Sequence, residues 1–167
     1  MLNHLALHDT ITGLANRTQL FTQLQHSMSE VEGGQKMAIH YINLDHFKPI
    51  NENYGHDTGD TILKAVASRL LDSVRDADTV ARIGGDEFVV IQSGVRSARD
   101  AEVVGSRIIK AVSRSHVVSA HTFYVGASIG VSLAPRDGVC VEELIRKADS
   151  AMNRSKRCGG NQLSFFS

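Results

Sequence analysis

Apolar residues recur along this chain at helical and then at strand spacing, and each change of period marks an element. Leu20, Leu24, Met28 and Val31 share one helical face between Thr18 and Val31, with Asn16 placed to cap the start and Gly33-Gly34 to end it. Met37 to Leu44 is apolar except for His40 and Asn43, the pattern of a buried central strand. Pro49 suits the first turn of a short helix that begins at Phe47. Ile62, Leu63, Val66, Ala67, Leu70, Leu71 and Val74 form a wide stripe on a further helix. Val80-Ala81 and Phe88-Val89-Val90-Ile91 predict two short strands joined by a tight turn. A helix follows near Ser97 to Arg114, with Ser97 and Asp100 spaced as a capping box. Thr122 to Leu133 gives one or two strands, Pro135 to Gly138 turns the chain, and a last helix runs from about Val141 to Arg157 until Gly159-Gly160. Gln162 to Phe166 adds a short edge strand. The predicted fold class is an α/β (α+β) sandwich, with a mixed central sheet covered by helices.

Composition narrows the function more than the fold. At 167 residues the chain suits one domain with a substantial core, read as a single unit over 1–167 with a leading segment and turn at 1–17. Lys plus Arg and Asp plus Glu are 18 each, so no global basic field points to a nucleic-acid polymer or a membrane surface as partner. No apolar run reaches the length of a membrane span, and no signal peptide opens the chain. Cys140 and Cys158 lack metal-type spacing and read as unpaired thiols of a cytoplasmic protein. His4 and His8 are one helical turn apart, but without a third ligand nearby they read as surface residues.

The candidate chemistry concentrates in Arg82-Ile83-Gly84-Gly85-Asp86-Glu87-Phe88. Adjacent glycines supply the backbone freedom of a hairpin, and the turn is expected to hold Asp86 and Glu87 at an exposed tip. Backbone without side chains beside paired carboxylates suits a magnesium-bound polyphosphate; a Gly-Gly hairpin with solvated acids is the alternative. Other positions carry similar alternatives. Asp60 is either a ligand group or an acid in the first turn of a helix, and Lys156 either reaches a ligand or is a solvated helix-end lysine. Arg75 and Asp78, spaced Arg-x-x-Asp, form either a binding site or an ion pair.

Six segments in order bear on these alternatives. They are His8 to Arg17, Asp45-His46-Phe47-Lys48 with Asn51-Glu52, Gly55 to Asp60, Arg82 to Phe88, Ala148 to Met152, and Gly159-Gly160-Asn161. Together they resemble the GGDEF domain, the family of diguanylate cyclases that make cyclic di-GMP from two GTP molecules. The resemblance implies a palm-like fold similar to class III nucleotide cyclases and polymerases, with the glycine hairpin at the active site. It implies a two-fold homodimer, in which each 3′-hydroxyl attacks the other nucleotide's α-phosphate, and a Mg²⁺ or Mn²⁺ cofactor.

Carried over residue by residue, the resemblance assigns guanine reading to Asn51 and Asp60. It assigns triphosphate contacts to the Phe47 and Lys48 amides, to the Gly84-Gly85 backbone and to Lys156. Metal ligation falls to Asp86, Glu87, the Leu44 carbonyl and position 43, which is Asn43 where the family carries an acid. Asp86 and Glu87 would also activate the attacking hydroxyl. Gly160 stands where an arginine is usual, and Asn153 where a tyrosine is common. Arg75 and Asp78 match the inhibitory site that binds cyclic di-GMP. Asp9 and Arg17 are expected to be structural, an acid and a base around the Thr12-Gly13-Leu14 turn. The resemblance also implies a larger signalling protein, with a covalently linked sensor or an EAL phosphodiesterase domain. Two functional expectations stand: a cyclase with product feedback, or a catalytically impaired regulatory module that binds GTP or cyclic di-GMP and controls an attached domain.

Overall fold

The computed structural model describes residues 6–167. Its centre is β1 (Met37–Asp45), whose near-continuous apolar run is explained by neighbours on both edges and both faces. β1 pairs antiparallel with β3 (Glu87–Ser93), from Met37 opposite Ser93 to Asn43 opposite Glu87. On its other edge β1 pairs antiparallel with β6 (Gly126–Ala134), from Met37 opposite Ala134 to Asp45 opposite Gly126. β2 (Thr79–Gly84) lies outside β3, and β7 (Leu163–Phe165) runs parallel to β6 at the far edge. The sheet order is therefore β2-β3-β1-β6-β7, mixed as predicted.

Period-two alternation sends Ala38, Ile42 and Leu44 to one face and Met37, Ile39 and Tyr41 to the other. The first set belongs to the cluster of α2 (Phe47–Tyr54), α3 (His56–Ser73) and α4 (Ala98–Val112), with Phe47, Val66, Leu70 and Ile108. The second packs with Leu20, Leu24 and Leu144 of α1 (Arg17–Glu32) and α5 (Val141–Arg157). Gly130 on β6 sets how closely α5 approaches, since a Cβ there would lie 2.0 Å from the Ala148 carbonyl oxygen.

Helix ends are fixed by partners distant in sequence. Arg69 of α3 donates to the carbonyls of Ala111 (3.0 Å), Arg114 (2.9 Å) and Ser115 (2.7 Å) at the end of α4. Arg107 of α4 returns the contact to the Ser73 carbonyl at 3.1 Å, so the two helices cap each other. α5 ends in a Schellman turn: Gly160 N donates to the Ser155 carbonyl and Gly159 N to that of Lys156, with Gly159 at φ 114°.

One local expectation is corrected, and one strand is present that the pattern did not announce. The Ser97 side chain makes no cap bond; Asp100 instead accepts from the Arg96 amide at 2.9 Å, one residue earlier than a capping box requires. A short hairpin of β4 (His116–Val118) and β5 (His121–Phe123) precedes β6, and three residues each are too few to show a period. The His4–His8 pairing lies partly outside the described residues; His8 Nδ1 sits 3.1 Å from the Gly13 carbonyl oxygen. Among the described residues no helix is long and apolar enough to cross a membrane.

Candidate functional site

The glycine hairpin closes β2 onto β3 beside the end of β1. Gly84 and Gly85 are exposed at its tip, with φ 156° and 41°. The acids are not displayed there: Asp86 and Glu87 are half-buried and lean back toward β1. The reason is a set of donors on the α1/α5 face of that strand. Asn43 Nδ2 donates to Asp86 Oδ1 at 3.1 Å, and the Tyr41 hydroxyl donates to Glu87 Oε2 at 2.7 Å. Burial and then the bond to Glu87 push the Tyr41 hydroxyl well above the ordinary tyrosine range. Asp149 of α5 stands near the same acid, and burial followed by the Glu87 charge raises its carboxyl.

Arg82 braces the turn from behind. Its Nε and Nη2 donate to the Gly85 carbonyl at 3.0 and 2.8 Å, while Nη1 reaches Asp9 Oδ1 at 2.9 Å. Asp9 also accepts from the Thr12 amide and hydroxyl, at 2.8 and 2.7 Å. The base paired with Asp9 is thus Arg82, which ties the leading segment directly to the hairpin.

At the end of β1 the chemistry centres on Asp45. Its carboxylate accepts from Lys156 Nζ (2.8 Å), Ser128 Oγ (2.7 Å) and the Asn161 amide (2.8 Å). Burial alone would raise its pKa, but the bonds from Lys156, Ser128 and Asn161 and the Lys156 charge together hold it below 3.8. Lys156 also donates to the Leu44 carbonyl at 3.1 Å. Gly160, at φ 76°, presses on the same carboxylate, and a Cβ there would lie 2.9 Å from Asp45 Oδ2.

These contacts decide how well the residues suit a divalent cation. Asn43 turns its amide N–H toward Asp86, one oxygen of Glu87 is taken by Tyr41, and the Leu44 carbonyl accepts from an ammonium group. Among the described residues no three His, Cys, Asp or Glu side chains gather into a metal-holding group. As it stands, the donor set does not fit a divalent ion.

Of the two expected base readers, Asn51 packs against Gly59, where α2 meets the start of α3. Gly59 permits the contact: a Cβ there would lie 2.0 Å from Asn51 Oδ1 and 3.2 Å from Phe47 Cζ. Asn51 Oδ1 is buried without a hydrogen-bond partner, a deficit on the order of 1–3 kcal/mol that a donor could remove. Asp60 is half-buried one residue further on. α2 begins after His46, at φ 66° and without a side-chain cap bond; Phe47 is buried and Lys48 exposed.

Arg75 and Asp78 lie on the loop before β2, away from the hairpin tip. Asp78 is locked, accepting from the amides of Arg75 (3.0 Å) and Ser93 (3.1 Å), and its side chain is 1% exposed. The Arg75 guanidinium is 62% exposed, 3.4 Å from Asp78 and bonded to the Ser93 carbonyl. Together they border a cleft of about 440 Å³ that also contains Gln92, Arg96, Asp100 and Arg107. Arg96 and Arg107 escaped the sequence reading, because nothing in their own spacing ties them to Arg75. Tyr41 was findable, since it precedes Asn43 by two on a strand and must share its face.

A mixed sheet in this order, with a glycine hairpin carrying two acids beside the end of its central strand, defines a nucleotide-cyclase palm domain. The family model described as "Diguanylate cyclase, GGDEF domain" matches residues 6–162, and the chain belongs to that family. It is 39% identical, over 99% of its length, to the cyclic di-GMP phosphodiesterase NbdA of Pseudomonas aeruginosa. It is likewise 39% identical over 99% of its length to MucR of the same organism, a bifunctional diguanylate cyclase/cyclic di-GMP phosphodiesterase. The chain spans only 21% and 24% of those two proteins. The solved structure of the coiled coil and GGDEF domain of DgcB from Caulobacter crescentus, in complex with c-di-GMP, superposes with a TM-score of 0.89 at 28% identity. That match covers 98% of this chain and 87% of the solved DgcB chain.

Proposed function

We propose that this chain is a diguanylate cyclase-type domain of a cyclic di-GMP signalling protein, binding GTP between α2, α3 and the hairpin and cyclic di-GMP in the Arg75/Asp78 cleft. Its own condensing capacity is curtailed, so its main output is ligand-dependent control of an attached domain. The observation that carries this reading is a contrast between two sites. The Arg75/Asp78 cleft has a fixed carboxylate and three arginines, a set able to fork onto guanine O6 and N7 and to meet phosphates. The hairpin site has an amide where an acid is needed, and that amide's N–H is already given to Asp86.

A second reading, an efficient cyclase acting as a two-fold dimer, is favoured by the orphaned Asn51 oxygen at Gly59 and by the unbroken Gly84-to-Phe88 hairpin. In either reading the protein's part is orientation. Asn51 and Asp60 select guanine by bonds adenine cannot make, a discrimination of up to ~10⁴. Two domains facing each other then place each 3′-hydroxyl against the partner nucleotide's α-phosphate.

One experiment separates the readings: incubate a forced dimer with GTP and Mg²⁺ or Mn²⁺ and measure cyclic di-GMP. Slow turnover that rises at least ~10-fold in Asn43→Asp supports the proposal. Rapid turnover by the unaltered dimer establishes the efficient cyclase. Cyclic di-GMP affinity unchanged in Arg75→Ala removes the product cleft.

A further inference from the structure

One oxygen of each hairpin acid, and the Leu44 carbonyl, already accept hydrogen bonds from this chain. Asp86 Oδ1 takes the Asn43 amide at 3.1 Å, Glu87 Oε2 takes the Tyr41 hydroxyl at 2.7 Å, and the Leu44 carbonyl takes Lys156 Nζ at 3.1 Å. Tyr41 and Asn43 are two residues apart on β1, so their side chains project from the same face and form a short ladder of neutral donors. An arriving cation would have to displace these donors to take either acid by both oxygens. It would gain no charge at position 43, where an amide offers a single neutral oxygen. The cation already at the end of the strand is the Lys156 ammonium, held by Asp45 at 2.8 Å.

We propose that this domain sets its hairpin with its own donors in place of a divalent cation, and that its binding of guanine nucleotide does not depend on Mg²⁺ or Mn²⁺. The first half is a property of the nucleotide-free domain; the second rests on the nucleotide reading above. Tyr41 and Asn43 are positioning residues in this scheme, acting through Glu87 and Asp86.

The first test is a Mn²⁺ titration of the nucleotide-free protein, with free Mn²⁺ followed by electron paramagnetic resonance. The unaltered domain is expected to show no saturable site tighter than ~1 mM, the weak end of carboxylate cation sites. Asn43→Asp should tighten binding by at least ~10-fold, and Asn43→Asp combined with Tyr41→Phe should tighten it further by releasing Glu87. Circular dichroism checks that each variant is folded. One Mn²⁺ per unaltered domain at micromolar concentration would overturn the proposal. An Asn43→Asp protein that gains nothing would overturn the assignment of Asn43 as the withheld ligand.

The second test is GTP binding by calorimetry in EDTA and in excess Mg²⁺. Affinities within about threefold of each other, under 1 kcal/mol, are expected. A tenfold or greater loss in EDTA refutes metal independence. Absence of GTP binding in both buffers refutes the nucleotide reading, and the Mn²⁺ titration still decides the first half.

Discussion

Removing the Asp45 carboxylate tests whether Lys156 is chiefly a structural cation. The Asp45 side chain is 9% exposed, Lys156 is 33% exposed, and the carboxylate gathers three donors within 2.8 Å. Truncating one partner of a buried pair costs about 3–5 kcal/mol, because the other charge is left unpaired. Water reaches Lys156, so Asp45→Ala belongs at the low end, about 3 kcal/mol. Asp45→Asn keeps the volume and the Ser128 bond but loses the charge and the bond from the Asn161 amide, for about 2 kcal/mol. Urea unfolding at pH 7 measures both losses against a domain stability on the order of 5–15 kcal/mol. A double cycle with Lys156→Met should show coupling of at least ~1 kcal/mol. The pH dependence carries a definite sign. Because the folded carboxyl titrates below 3.8, its contribution is complete above that value and is lost as pH falls through the folded pKa. The gap between the unaltered protein and Asp45→Asn should therefore narrow only below pH 3.8. An Asp45→Ala loss under about 1 kcal/mol, or a gap that narrows near neutrality, would refute this account.

Three further outcomes follow from single contacts. Gly130→Ala would place a Cβ 2.0 Å from the Ala148 carbonyl oxygen and 2.1 Å from Met152 N, both backbone; thermal unfolding should show a loss of about 3 kcal/mol or more. Gly59→Ala meets side chains only, chiefly that of Asn51, which can rotate away, with Phe47 Cζ at 3.2 Å, so the melting temperature should change little while GTP affinity falls about tenfold by calorimetry. Arg82→Lys keeps the charge but cannot bridge Asp9 and the Gly85 carbonyl together; hydrogen exchange at the hairpin should rise as it does in Arg82→Met, and full protection in the lysine variant would contradict the bracing role.

Elements that bury a periodic face were legible in the sequence. α5 begins at Val141 and ends at Arg157 as the stripe and the double glycine require, and β1 follows its apolar run. Legibility failed where a side chain's partner lies far away in the chain. Asp9 could not be matched to Arg82, nor Lys156 to Asp45, because spacing reports which face a residue occupies and not what crosses to meet it. The acids of the hairpin show the same limit. Their turn was readable from Gly84-Gly85, but their half-buried posture depends on Tyr41 and Asn43 across the β1–β3 ladder. Family motifs located the site residues, while only the contacts reveal which of those residues are already committed.

The contact at position 43 also explains why an amide suits this hairpin. Asn43 and Asp86 stand 3.1 Å apart, and two carboxylates at that separation would repel by several kcal/mol at an effective dielectric near 20. An acid there requires a cation between the two; the amide converts the same proximity into a hydrogen bond. Asn43→Asp should therefore destabilise the cation-free domain by about 1–3 kcal/mol in urea unfolding with EDTA, the range for an unmet buried polar group. Millimolar Mn²⁺ should return most of that loss to the variant and change the unaltered protein little, since a ligand stabilises only the fold that binds it. Equal stability of the two proteins in EDTA would mean that the carboxylates can turn apart, and that the hairpin is not set by the Asn43 amide.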